Sequence, residues 1–137
     1  MFKFLPPLAA ALLLSACAAP AQKPAAAPDA HTSRQALDWP GSYAGVLPCA
    51  DCPGIRITLT LGADGSYALS RLYQDRQASP DVVRGRFHWM PGDGSIELEG
   101  EGSRWRVGEG RLFMLDADGQ PVTGPLAEHY ILKRAAP

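Results

Sequence analysis

The chain has 137 residues and nearly balanced charge, with 13 lysines and arginines against 14 aspartates and glutamates. This length leaves room for one domain. A formal net charge of −1 excludes the strongly basic surface that nucleic acid binding requires, so we predict no nucleic acid partner.

Residues 1–16 have the pattern of a removable signal peptide, with one lysine, an apolar run and small residues before Cys17. The apolar run is shorter than the roughly 20 residues that span a bilayer. The string Leu14-Ser15-Ala16-Cys17 resembles the lipobox of bacterial lipoproteins, in which lipid is attached to the cysteine and cleavage occurs just before it. We therefore predict that Cys17 is the lipidated N-terminus. The alternative is an ordinary signal peptide followed by a chance cysteine.

Residue 18 is alanine, not aspartate, and in the lipoproteins that this signal resembles such a residue permits sorting to the outer membrane. The predicted location is therefore the outer membrane, with a lipid anchor and the protein facing the periplasm or the cell surface. Residues 17–38 are rich in alanine and proline and hold almost no large apolar side chains. Such a segment cannot offset its ordering entropy by burial, so we predict that it is a tether.

Residues 39–137 are predicted to form the folded domain. From Trp39 onward, short runs of alternating apolar and polar residues are separated by turns, several of which contain Asp-Gly. We predict strands at residues 43–47, 55–61, 67–69, 83–89, 96–99, 104–107, 112–115 and 129–133.

The short connections favour antiparallel pairing of neighbouring strands, because a chain of two to four residues cannot cross over. The predicted fold is therefore all-β, a small antiparallel meander without a helix longer than a turn or two. Closure into a barrel of seven to eight strands removes the exposed edges. A two-sheet sandwich is the alternative.

Cys49 and Cys52 form a C-x-x-C pair between Pro48 and Pro53, and three interpretations of it stay open. A thioredoxin-like site needs a helix N-terminus, whereas a strand follows here and Asp51 places a negative charge that disfavours the thiolate. Zinc needs four ligands, which the local sequence does not supply, but copper(I) tolerates two thiolates. In an oxidising compartment, the pair can also form a local disulfide that stiffens the loop.

Other residues give weaker indications of function. Ile57, Leu59, Phe87 and Trp89 are predicted to face the barrel interior, where they either line a site for a hydrophobic ligand or simply fill the core. The acidic side chains between residues 97 and 101 are expected to pair with arginines across the same hairpin. Neither expectation points to a chemical reaction: the first concerns the barrel interior and the second concerns surface charge.

The sequence gives no positive sign of catalysis. His88 and His129 fall on separate predicted strands without a nearby carboxylate motif, so we expect surface histidines. A nucleophile elbow, an H-E-x-x-H motif, a phosphate-binding loop and a Rossmann glycine pattern are not found. We therefore predict that the protein is not an enzyme, and a structural or interaction module of the envelope is a further alternative.

The string Y-A-G-V-L-P-C-A-D-C-P-G-I at residues 43–55, continued by T-L-T-L at 58–61 and D-G-S-Y at 64–67, resembles the N-terminal domain of the NlpE family of copper-resistance and envelope-stress lipoproteins. The resemblance implies a lipocalin-like β-barrel on the outer membrane, with Cys49 and Cys52 at the family's cysteine pair. It also implies a role in copper resistance or in envelope-stress sensing, with an envelope-stress signalling protein as the partner, while copper(I) stays one of the open interpretations of the cysteine pair. The best-known members carry a second, OB-like domain after the barrel, and this sequence ends at Pro137.

Overall fold

The computed structural model describes residue 3, residues 33–92 and residues 94–136. Cys17 and nearly all of the predicted signal peptide and tether lie outside the described residues. A short helix, α1, covers Ser33–Ala36, inside the range predicted as the tether. The strands are β1 Gly41–Leu47, β2 Ile55–Leu61, β3 Ser66–Tyr73, β4 Asp81–Trp89, β5 Ser95–Leu98, β6 Arg104–Gly108, β7 Arg111–Met114 and β8 Ile131–Arg134. A 3-10 helix at Ala127–Tyr130 precedes β8.

The eight strands form one closed antiparallel barrel in which each strand pairs with its neighbours in the chain. The register of β1 on β2 runs from Gly41 opposite Leu61 to Leu47 opposite Ile55. Pairing of β1 with β8, through Tyr43 opposite Arg134, closes the circle. The predicted meander barrel is confirmed, and the alternative of a sandwich is wrong. Among the described residues, no helix has the length and apolarity needed to cross a bilayer.

The core is made by the inward-facing residues of every strand, as the alternating pattern predicts. The buried apolar side chains are Trp39, Tyr43, Ile57, Leu59, Leu61, Tyr67, Leu69, Phe87, Ile96, Leu98, Trp105, Val107, Leu112, Leu115 and Leu132. Burial of each large apolar side chain contributes about 1.5–3 kcal/mol. Trp39 lies where the chain enters the barrel and packs edge-on against Phe87 and Trp89, with ring centroids 5.7 and 5.4 Å away.

The barrel has two distinct ends. Trp39 and the tight turns at residues 62–65 and 109–110 lie at the end where the chain enters, which we call the entry end. Because β1 runs away from it, the connection at residues 48–54 lies at the other end. The connections at residues 74–80, 99–103 and 115–130 also lie there. We call it the cysteine end.

The last strand differs from its prediction. Residues 129–133 were expected to be extended, but β8 begins at Ile131 and a 3-10 helix occupies the preceding positions. The amide of Ala127 donates to the carbonyl of Gly124 at 3.1 Å, and that of His129 to Leu126 at 2.9 Å. These bonds span three residues and tighten the chain into a turn before it enters the sheet.

The predicted charge pairing within the hairpin of residues 97–106 is also wrong for Glu101. Its carboxylate lies 2.7 Å from the guanidinium of Arg71 on β3, across the mouth of the barrel. Arg104 instead donates to the carbonyl of Ala117 at 3.1 Å. The turn at residues 99–103 aims Glu101 over the barrel interior, a direction that strand alternation alone does not indicate.

Candidate functional site

The candidate site is the loop at residues 48–54, which joins β1 to β2 at the cysteine end. Cys49 and Cys52 form a disulfide in it, with sulfur atoms 2.07 Å apart and Cα atoms 5.3 Å apart. Prolines at both sides of the pair restrict the backbone of the loop. Gly54 ends the loop at a buried position where a Cβ would overlap Cγ1 of Val46. The loop therefore closes tightly against the end of β1 and presents the sulfur atoms beyond the barrel rim.

A second loop supports the cysteine pair from the side. Arg76, between β3 and β4, lies 2.9 Å from Oδ2 of Asp51 and donates to the backbone oxygen of Asp51 at 2.9 Å. The amide of Gln74 donates to the carbonyl of Gly54 at 3.0 Å. The charge of Arg76 offsets the negative charge that Asp51 places beside the sulfur atoms. Sequence reasoning recognised Asp51 but missed Arg76.

The donor atoms of the loop lie close together. The ligand atoms of Cys49, Asp51 and Cys52 are all within 4.8 Å of one another, and no other such group occurs among the described residues. Sγ of Cys49 lies 3.5 Å from Oδ1 of Asp51, and Sγ of Cys52 lies 3.5 Å from the carbonyl of Gly54. The sulfur atoms of a disulfide are poor metal ligands, whereas two thiolates match a soft ion such as copper(I). The donor set fits copper(I) after reduction.

An apolar groove of about 380 Å³ runs beside the disulfide. It is lined by Val46, Leu47, Pro48, Cys49, Pro53, Leu126 and His129. Val46 and Leu126 are 42% and 52% exposed. Tyr73 and Val82, the other exposed large apolar residues in the described chain, also lie at the cysteine end. The large exposed apolar side chains of the described residues therefore all lie at the cysteine end.

The cysteine end is also acidic. Its four connections carry one arginine, Arg76, among the described residues. Their acidic side chains are Asp51, Asp75, Glu99, Glu101, Asp116, Asp118 and Glu128. An excess of carboxylates at one end raises the local concentration of cations.

Comparison with known proteins identifies the family. The model of the NlpE N-terminal domain matches residues 43–125. The chain belongs to the NlpE family. Lipoprotein NlpE of Escherichia coli K12 is 35% identical over 86 residues, which cover 61% of this chain and 36% of that protein. The 17 kDa lipoprotein of Treponema pallidum is 41% identical over 59 residues, which cover 42% of this chain and 38% of that protein. The chain thus spans a little over a third of the length of these curated relatives.

Two solved structures share the NlpE-type barrel. A Shewanella oneidensis protein described as a candidate lipoprotein superposes with a TM-score of 0.70 at 52% identity, covering 75% of this chain and 94% of that one. The Cpx pathway activator NlpE from Escherichia coli superposes with a TM-score of 0.51 at 32% identity, covering 62% and 46% of the two chains. The predicted family resemblance is confirmed.

The four residues predicted to line a ligand site share the core of this NlpE-family barrel but do not line one cavity. Leu59 is fully buried in the core. Ile57 lines a cavity of about 250 Å³ at the cysteine end, beneath the pair of Arg71 and Glu101. Phe87 and Trp89 line a separate recess of about 420 Å³ at the entry end, together with Trp39. These residues reach two opposite ends of the barrel.

The position of His129 beside the cysteine pair was not predicted from the sequence. It was expected to be an ordinary surface histidine on a strand, but it lies in the 3-10 helix and lines the groove with Cys49. Eighty positions of chain separate the two residues in the sequence, and no local pattern links them. His88 behaves as expected, since its Nδ1 lies at the surface 3.6 Å from Oε1 of Glu99.

Proposed function

We propose that this NlpE-family chain is a non-enzymatic lipoprotein anchored in the outer membrane, which senses copper or the redox state of the envelope through Cys49 and Cys52. The observation that carries the proposal is the position of the pair. It lies in a tight loop at the cysteine end, beside an apolar groove and among acidic side chains. A sensor needs its responsive group at a surface that a partner and a stimulus can both reach.

The chemistry of the pair supports two states. As a disulfide it offers no thiolate to a metal, and as a dithiol it offers two soft ligands that suit copper(I). The loop therefore differs chemically between oxidised, reduced and copper-bound protein. The relatives named lipoproteins, including the Cpx pathway activator from Escherichia coli, favour a sensing role over catalysis.

The proposed partner is an envelope-stress signalling protein. The name of the Escherichia coli relative suggests it. The matched part of this chain covers 36% of that relative's sequence. We therefore propose only that the barrel passes the signal to this partner. The exposed side chains of Val46 and Leu126 offer the partner an apolar contact next to the sulfur atoms.

The test compares cells that express the wild type, Cys49→Ser/Cys52→Ser, or Ala50→Ser. Copper tolerance and an envelope-stress reporter are measured over a copper series. The double variant is expected to lose the response, and Ala50→Ser, which changes an exposed residue of the same loop, is expected to keep it. Alkylation of thiols before and after reduction gives the redox state of the pair in the same cells. Equal responses in all three strains would remove the sensing role.

The lipid anchor is tested separately. Metabolic labelling with a fatty acid should label the wild type and Cys49→Ser/Cys52→Ser but not Cys17→Ser, because only Cys17 follows the lipobox. The labelled protein should sediment with outer-membrane markers. Label on Cys17→Ser, or recovery with the inner membrane, would contradict the proposed anchor or its location.

The second candidate function is carriage of a hydrophobic ligand. The cavity beneath Arg71 and Glu101 favours it, because Ile57, Leu69 and Trp105 give it an apolar lining. Its volume of about 250 Å³ is below the roughly 300–1,000 Å³ of common ligand sites. Titration with a fluorescent fatty acid decides this role, and the absence of saturable binding would reject it.

A further inference from the structure

The entry end of the barrel has a recess of about 420 Å³ that combines aromatic rings with guanidinium groups. Trp39, Phe87 and Trp89 supply the rings, which pack edge-on against one another with centroids 5.4–6.4 Å apart. Arg34 and Arg86 line the same recess. An arginine can bind a phosphate through two parallel hydrogen bonds, and the face of a tryptophan attracts an ammonium group. The recess therefore suits a ligand that carries a phosphate, with or without an ammonium.

Both arginines are placed at the recess by backbone contacts. Nε1 of Trp39 donates to the carbonyl of Arg34 at 3.1 Å, which joins α1 to the barrel. Nη2 of Arg86 donates to the carbonyl of Asp64 at 2.6 Å. Oδ1 of Asp64 accepts from the amide and the hydroxyl of Ser66 at 3.0 and 2.6 Å. In the described part of the chain, no carboxylate forms a salt bridge with either guanidinium, so both keep their charge for an anionic ligand.

Charge is distributed unevenly over the barrel. The four connections of the cysteine end carry seven carboxylates and one arginine. The rest of residues 34–136 carries ten arginines and lysines and six carboxylates. An anionic surface therefore repels the cysteine end and attracts the remainder of the barrel. A membrane that contains anionic phospholipid is such a surface.

We propose that the entry end docks on a membrane of anionic phospholipid, with a headgroup phosphate held in the recess by Arg34 and Arg86. This inference rests on the proposed lipid anchor. Cys17 precedes Trp39 by 22 positions, and the chain joins the barrel at the entry end, so the anchor favours contact of this end with the lipid. Tryptophan and arginine are common at the lipid–water interface. Docking in this orientation points the cysteine pair away from the membrane, where a soluble stimulus and a partner can reach it.

The test reconstitutes the chain, purified from membranes in detergent, into vesicles of phosphatidylcholine with or without phosphatidylglycerol. Both kinds of vesicle contain a lipid with a nitroxide on its headgroup, which quenches the fluorescence of nearby tryptophans. Because Trp39 and Trp89 line the recess, the short and long fluorescence lifetimes give the ratio of docked to undocked protein. We expect a higher ratio with phosphatidylglycerol and a loss of this increase at high salt, which screens the charges.

Substitution Arg34→Glu should lower the ratio of docked to undocked protein at least about fivefold, which is the effect of one basic side chain at an anionic surface. Arg86→Gln should lower it in the same direction, and Arg34→Lys, which keeps the charge, should recover most of the docking. Arg56→Glu is the matched control, because it makes the same change of charge at an exposed arginine of β2 near the cysteine end. It should stay close to the wild type. Circular dichroism verifies the fold of each variant.

The outcomes separate this inference from the proposed anchor. Equal lifetimes in both kinds of vesicle, with protein that sediments with both, overturn the docking and leave the anchor standing. Equal losses in Arg34→Glu and Arg56→Glu would mean that overall charge acts without the recess, and would overturn the site. Protein that sediments with neither kind of vesicle overturns the anchor and the docking together. Sedimentation with phosphatidylglycerol vesicles alone overturns the anchor and supports the docking.

Discussion

Tyr43 is the buried residue at which three parts of the barrel meet. Its hydroxyl donates to the backbone oxygen of Trp39 at 2.7 Å and accepts from Arg134 at 3.2 Å. The guanidinium of Arg134 also lies 5.2 Å from the centre of the Tyr43 ring. One side chain on β1 thus joins the entry segment to β8.

Substitution Tyr43→Phe should lower the free energy of unfolding by about 1–2 kcal/mol, because the carbonyl of Trp39 loses its donor in a buried place. Urea denaturation at neutral pH measures the change. Tyr73→Phe is the control, since that tyrosine is exposed at the end of β3, and it should stay within about 0.5 kcal/mol of the wild type. Equal effects of the two substitutions would contradict the role of Tyr43.

Burial of Tyr43 also predicts a loss of stability at high pH. Burial raises the pKa of its phenol above the ordinary 10.0, although Arg134 acts in the opposite direction. As the pH rises, the unfolded chain therefore loses this proton before the folded chain does. The free energy of unfolding should be unaffected by this group below pH 10 and should fall as the pH rises through the folded pKa. Denaturation curves at several alkaline pH values should show a smaller decline in Tyr43→Phe.

At the scale of single elements, the tight closure of the cysteine loop depends on Gly54. We expect Gly54→Ala to destabilise the protein by about 1–3 kcal/mol, because the new methyl group overlaps Cγ1 of Val46 on β1. Val46 is exposed, so Val46→Ala alone should cost little. The double variant should recover most of the loss, as measured by thermal or urea denaturation. Additive effects of the two substitutions would show that the overlap is not the cause.

The elements themselves were largely predictable. The alternation of apolar and polar residues determines which side chains face inward, and tight turns such as residues 62–65 and 109–110 determine the pairing of the strands that they join. Much of the barrel therefore follows from local patterns. The 3-10 helix before β8 was missed because its four residues are too few to show a repeating pattern of apolar positions in the sequence. Its bonds, such as that from His129 to Leu126, depend on how a connection of 16 residues, 115–130, folds back on the barrel.

The candidate site was predictable only in part. The cysteine pair is a local motif, so the sequence identified Cys49 and Cys52. Its neighbours Arg76 and His129 come from connections that the barrel brings to the same end. Alternation gives the face of a strand residue but not the direction of a loop residue. The surroundings of the pair therefore required the three-dimensional arrangement.

At the scale of the whole molecule, the barrel is closed by the pairing of β1 with β8, which we call the seam and which has fewer paired positions than any other strand pair. β1 and β8 share a register that pairs Tyr43 with Arg134 and Ala44 with Lys133, whereas β1 and β2 are paired over the full length of both strands. Arg134 strengthens the seam by donating to the carbonyl of Pro40 at 3.0 Å and to that of Asp38. Arg134 thus adds side-chain hydrogen bonds to a seam that has only two paired positions in its register.

This seam should open before the rest of the barrel. We expect Arg134→Ala to speed amide hydrogen exchange in β8 by about fivefold, which corresponds to roughly 1 kcal/mol for bonds made by a charged but exposed side chain. Exchange in β2 and β3, whose pairing covers both strands, should change less. Lys133→Ala is the matched control, because Lys133 is its exposed neighbour on β8 and should leave exchange unaltered. A uniform acceleration over all strands in Arg134→Ala would mean that the barrel opens as one unit, and that the seam has no separate weakness.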